Sequence, residues 1–127
     1  GASDPLVAWC SDTTTLLSGT FSTAIGTGAQ NTVLMDTGCT SGAGQEAADY
    51  AAGVYSDWFL PSVDELNAMY GYQSSIVDTA TYGFASVDYW SSSQYFPSTS
   101  WFQSFDSVNQ SVKAKSTLLS VRPVRAF

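Results

Sequence analysis

At 127 residues, with 12% charged and 14% aromatic side chains, the chain has the length of one domain. That is enough to bury roughly two thirds of the surface its unfolded form exposes, so no cofactor is needed to nucleate a core. A net charge of −7 disfavours attraction to nucleic acid or to an anionic membrane. The absence of histidine removes any Ser-His-Asp or Cys-His centre within the chain, together with the commonest metal ligand.

The opening "GASDPLVAW" carries no basic segment followed by an apolar one, and no apolar run approaches the roughly 18 residues that span a bilayer. The expectation is a single domain over residues 1–127, the mature form or C-terminal part of a larger secreted or surface protein, with no direct membrane insertion. Residues 5–11, "PLVAWCS", read as a short strand. In "TAIGTGAQNTVLMDTGC" the glycines read as turn formers, followed by one or two helical turns around Val33, Leu34 and Met35. "SGAGQEAADYAAG", residues 41–53, is alanine-rich, with Ala47, Tyr50, Ala51 and Val54 at helical spacing and Gly53 placed to end the helix.

"SDWFLPSVDELNAMY", residues 56–70, contains Ser62-Val63-Asp64-Glu65, which fits a capping box. In that motif the Ser hydroxyl accepts from the Glu backbone N–H while the Glu carboxylate reaches back to the Ser N–H. Pro61 and Leu66 stand where a hydrophobic staple would form, Leu66, Met69 and Tyr70 make the buried stripe, and Gly71 is the expected stop. Beyond residue 72 come short alternating segments, "YWSSSQYF", "SWFQSFDS", "SVKAKS" and "LLSVRPVRAF", which read as antiparallel hairpins. In "SWFQSFD" a period of two places Trp101, Gln103 and Phe105 on one face and Phe102, Ser104 and Asp106 on the other. Helices first and strands second indicate an α+β fold.

Few catalytic constellations survive. Adjacent Asp64 and Glu65 could supply a glycosidase-like carboxyl pair in principle, but neighbours at a helix start seldom converge on one bond. "GTGAQN" lacks the Lys-Ser/Thr of a phosphate loop and the third glycine of a dinucleotide fingerprint. Nine aspartates offer oxygen ligands, yet no Asp-x-Asp-x-Asp-Gly run occurs, so no metal or cofactor is expected. Cys10 and Cys39 either form one bridge, stabilising by about 2–4 kcal/mol, or stand as two buried thiols. Their spacing suits neither a Cys-x-x-Cys redox pair nor a zinc site. A bridge would imply an oxidising, extracytoplasmic location.

The base distribution is uneven: all four, Lys113, Lys115, Arg122 and Arg125, fall in the last fifteen residues, whereas every acid lies at or before Asp106. Arg122 and Arg125 are expected to pair with acids of the body, Asp57 among them, and to lock the C-terminus. Residues 89–120 hold seven of the eighteen aromatics, interleaved with Ser, Gln and Asn. That mixture of rigid amphipathic rings and adaptable polar groups is paratope-like. The competing reading is that several rings, Trp90 and Trp101 above all, fill the core.

Taken in order, "STAIGTGAQNT", "SDWFLPSVDELNAMY", "YWSSSQY", "WFQSF" and "VRPVRAF" resemble the bacterial surface domains typified by the C-terminal domain of the Legionella collagen-like adhesin, of the Fibrobacter-type major paralogous domain family. The resemblance runs from about residue 22 to the end. It implies a C-type lectin-like fold, two helices packed on a twisted antiparallel sheet with long loops, and a non-catalytic recognition module on a secreted, cell-surface or virion-surface protein. The adhesin's domain is similar to a trimeric binder of sulfated polysaccharides, so a homotrimer is an implied state. Related folds also serve as the variable proteins of diversity-generating retroelements, with hypervariable positions that correspond to residues 95–119. Calcium-lectin signatures, Glu-Pro-Asn or Gln-Pro-Asp followed by Trp-Asn-Asp, do not occur. Formylglycine-generating relatives of the fold rely on a cysteine pair near the active site, whereas both cysteines here precede the core motifs, so enzymatic activity is not expected.

The expected ligand face, for a protein or a glycan, comprises Gln94, Tyr95, Phe96, Ser98, Ser100, Phe102, Ser104, Asp106, Asn109 and Ser111, with Lys113 at its margin. The alternative is that this face packs on a neighbour as an assembly module of a surface protein or viral fibre.

Overall fold

The computed structural model describes residues 6–17, 22–50, 57–73 (backbone only for 71–73), 87–105 and 109–124. The elements run β1 (Leu6–Val7), α1 (Gly28–Gly38), α2 (Ala43–Ala48), α3 (Val63–Gln73), β2 (Asp88–Phe96), β3 (Thr99–Ser104), β4 (Gln110–Ala114) and β5 (Leu119–Ser120). They form the expected α+β architecture, consistent with a C-type lectin-like fold. Two details differ from expectation. Three helices rather than two occur among the described residues, and the five-stranded sheet, in the order β1-β5-β2-β3-β4, is mixed. Its β2–β5 pairing is parallel, through Tyr89 and Ser120.

The sheet is covered on both faces. On one side Trp90 and Phe102, opposite one another in the β2–β3 register, join Met35, Ala43 and Ala47 of α1 and α2, along with Trp9, Leu60, Leu119 and Val121. On the other, Leu66 of α3 packs with Tyr89 and Phe105, flanked by Met69 and Tyr70. The two indole N–H groups buried here are satisfied: Trp9 donates to the Ser91 carbonyl at 2.8 Å and Trp90 to that of Val7 at 2.9 Å. Cys10 and Cys39 are joined as a disulfide, fastening the segment after β1 to the end of α1.

α1 begins earlier than the apolar pattern implies. Gly26 makes the turn, with φ +94°, but Gly28 is the first helical residue. A Cβ there would stand 2.9 Å from both the Leu60 carbonyl and the Ser62 nitrogen, closer than packing allows. The helix buries Asn31 and Thr32 beside Met35, and such a partly polar stripe leaves no amphipathic signature. Conversely α2 stops at Ala48, where Asp49 and Tyr50 donate to the Gln45 and Ala47 carbonyls; the expected terminator Gly53 lies outside the described residues. Gly71 does not end α3, which continues to Gln73.

The capping box at the start of α3 forms as expected. The Ser62 N–H donates to Glu65 Oε1 at 2.7 Å, and the Glu65 N–H to Ser62 Oγ at 3.2 Å. Glu65 Oε2 also accepts from the Gly26 N–H at 3.0 Å. The two remaining first-turn donors are used as well, Val63 N–H by Ser93 Oγ at 3.1 Å and Asp64 N–H by the Thr23 carbonyl at 3.0 Å. With every such donor occupied, this helix start is a joint between three segments and offers nothing to an anion. At the C-terminal end, Phe59 and Val124 exchange backbone hydrogen bonds at 2.8 and 2.9 Å, tying the last described residues to the segment before α3.

Candidate functional site

Three consecutive serines in β2 act inside the protein. Ser91, Ser92 and Ser93 are fully buried and lie within an interruption of the β2–β3 register between Trp90 and Gln94, where backbone groups lose ladder partners. Their hydroxyls take over. Ser91 Oγ donates to the Trp101 carbonyl at 2.7 Å, Ser93 Oγ to that of Ser22 at 2.8 Å, and Ser92 Oγ accepts from Asn31 Nδ2 at 3.3 Å. Serine is small enough to sit between packed layers while still meeting the hydrogen-bonding demand of buried backbone.

Beyond them the same strand leaves the core. Gln94 is half-buried, while Tyr95 and Phe96 are 47% and 59% exposed. Phe96 pairs with Thr99 across the two-residue turn of Pro97 and Ser98. Tyr95 and Phe96 have ring centroids 4.5 Å apart, and Tyr95 meets Trp101 edge-on at 5.5 Å. Trp101 is half-buried and opposite Val112 of β4. The result is a three-ring cluster at the tip of the longest hairpin, with the exposed Ser98 beside it. Trp101 belongs to this cluster although it was not expected on the ligand face; its shared side with Tyr95 depends on the register shift in β2, which the sequence pattern does not display.

The other expected face residues divide. Ser100 and Phe102 are buried, at 0% and 7% exposure, and so is Ser104. This corrects the expectation for those three: β3 is sandwiched on both sides, so its alternation separates two interiors instead of core from solvent. Asn109 and Ser111 are exposed but lie towards the opposite end of β3–β4, where Gln103 pairs with Gln110. That is four residues, or about 13 Å, along the strand from the Thr99–Ala114 pair at the tip. Asp106 falls outside the described residues.

The two lysines are engaged within the fold. Lys113 pairs with Asp88 at 2.9 Å and lies 4.8 Å from the Phe102 ring centroid. Lys115 is fully buried; its ammonium donates to Gln94 Oε1 at 2.6 Å and to the Thr15 carbonyl at 3.1 Å. Burial lowers its pKa from 10.5 to about 8, against the smaller opposing pull of the Asp12 carboxylate. Asp12 itself is held below the ordinary carboxylate range, first by the Thr14 N–H. A concavity of about 530 Å³ is lined by Leu16, Leu17 and Leu34 together with Asp12, Thr15, Thr37 and Gly38. Among the described residues no group of three or more metal-ligating side chains occurs, and no helix is long and apolar enough to cross a membrane.

A model of the Lcl C-terminal domain matches residues 7–125, nearly the whole chain. The chain belongs to the Lcl C-terminal domain family. As an Lcl C-terminal domain it is a surface or secreted, adhesin-like module, and its disulfide suits an oxidising compartment. No curated protein and no solved structure matches it.

Proposed function

We propose that this domain is a non-catalytic recognition module that captures a protein or glycan through the hairpin-tip rings Tyr95, Phe96 and Trp101, with Ser98 as a polar neighbour. The observation that carries this reading is the exposure of two aromatic side chains together. Water disfavours such a surface, and binding sites exploit it. All three rings fall in the segment that corresponds to the variable region of retroelement-diversified relatives. The tip from Tyr95 to Trp101 carries no charged side chain; Lys115 is buried, and Lys113, with its side chain 38% exposed, is paired with Asp88 at 2.9 Å.

The test is a panel of neutral and sulfated glycans together with candidate surface proteins, screened at low and high salt. Tyr95→Ala and Phe96→Ala should each weaken the captured interaction about tenfold or more, with little dependence on salt. Unchanged capture by both variants would end the reading, and a steep salt dependence would end its uncharged form. A change in oligomer mass with no change in capture would instead make the tip an assembly surface.

A further inference from the structure

The exposed rings are held from beneath by a residue that never reaches the surface. Lys115 follows directly on β4, and its backbone is used on both sides: its N–H donates to the Ser98 carbonyl at 2.8 Å, and its carbonyl accepts from the Trp9 N–H at 2.9 Å. Its ammonium lies 4.8 Å from the Trp9 ring centroid and donates to Gln94 and Thr15. Gln94 is in turn clasped at both ends of its amide by one residue, the Leu17 N–H donating to Oε1 at 2.9 Å and Nε2 donating to the Leu17 carbonyl at 3.3 Å. The exposed pair Tyr95 and Phe96 is thus bracketed by Gln94 and Ser98, and both brackets lead to Lys115.

The residue type is informative. A methionine or leucine would fill a slot against Trp9 without the desolvation penalty that an ammonium carries. What only the ammonium adds is several donors in one place, joining a strand side chain to a loop carbonyl.

We propose that Lys115, acting through Gln94, is the positioning residue of the recognition hairpin: it fixes the base of the Tyr95–Phe96 tip against the segment 12–17 that the Cys10–Cys39 bridge anchors. This rests on the reading of the tip as the binding surface, but its test does not require the ligand. Local ordering of this kind is read by amide hydrogen exchange.

The experiment compares exchange in the full chain as wild type, Lys115→Met, Gln94→Leu and Tyr95→Ala. Lys115→Met and Gln94→Leu are each expected to accelerate exchange about tenfold or more at the Leu17 amide and across residues 95–100, while α3 stays protected. The double variant should accelerate it little beyond the more severe single change, as expected for two residues in one network. Tyr95→Ala should leave the Leu17 amide as slow as in the wild type. Rates at Leu17 and the hairpin that stay within about twofold of wild type, or an equal acceleration in α3, would overturn the proposal. If Lys115→Met does not fold, Gln94→Leu decides alone, since its side chain is only half-buried. Failure of the functional reading is seen separately, as undiminished capture by both Tyr95→Ala and Phe96→Ala.

Discussion

The two halves of β2 use their side chains in opposite ways. From Tyr89 to Ser93 the strand is fully buried, and three small hydroxyl residues bond to four different segments; from Tyr95 to Phe96 two large aromatic residues face solvent. Composition alone would assign the serines to the surface and the rings to the core. The inversion follows from what lies on either side. The inner half is overlain by α1 and by the start of α3, whose loops bring backbone groups that need partners. The outer half meets the Gln94–Lys115–Leu17 contacts and the Trp101 ring, and leaves Tyr95 and Phe96 about half exposed. A buried scaffold and an exposed aromatic tip therefore share one strand, separated by a single residue.

That division is sharpened by variants ranked by expected effect. Trp90→Ala, at the root of the inner half, should cost about 3–5 kcal/mol in urea unfolding. Replacing both Cys10 and Cys39 by serine should cost about 2–4 kcal/mol, because the unbridged unfolded chain gains freedom. Ser93→Ala leaves the Val63 N–H without its hydroxyl partner and removes one of the donors to the Ser22 carbonyl, and a loss of about 1–3 kcal/mol is expected. The contribution of Lys115 is visible in pH dependence. Its folded pKa of about 8 lies below its ordinary value of 10.5, so between those values the unfolded chain binds more protons and stability rises with pH. Wild-type protein should gain stability relative to Lys115→Met on going from neutral pH to the upper end of that window. A relative loss would show that the fold favours the charged amine. Smallest of all, Phe96→Ala should change stability by no more than about 0.5 kcal/mol; a cost comparable to that of Ser93→Ala would erase the distinction between the halves.

Much of the scaffold was legible in the residues themselves. Ser62 and Glu65 announce a reciprocal cap because the motif is local, needing only three residues of separation, and the alternating segments announce hairpins for the same reason. What escaped depends on contacts distant in sequence. Gly28 looks like another turn glycine until Leu60 and Ser62 close over it, and Gly71 cannot stop a helix that continues to Gln73. Phe102 and Ser104 resemble an outward face only while the second layer over β3 is unknown. Of the proposed site, the surface position of Tyr95, Phe96 and Ser98 was legible, whereas Gln94 turns inward to Lys115 and Trp101 joins from the neighbouring strand.

The pairing of the first strand with the last has a kinetic meaning. Leu6 and Val7 wait for Ser120 and Leu119, so a chain synthesised from its N-terminus cannot complete the sheet until nearly all of it exists. Contacts between such distant positions place a domain toward the slow end of folding. The Cys10–Cys39 bridge spans only 29 residues and can close long before, so an oxidising environment can join these two positions while the remainder is still searching.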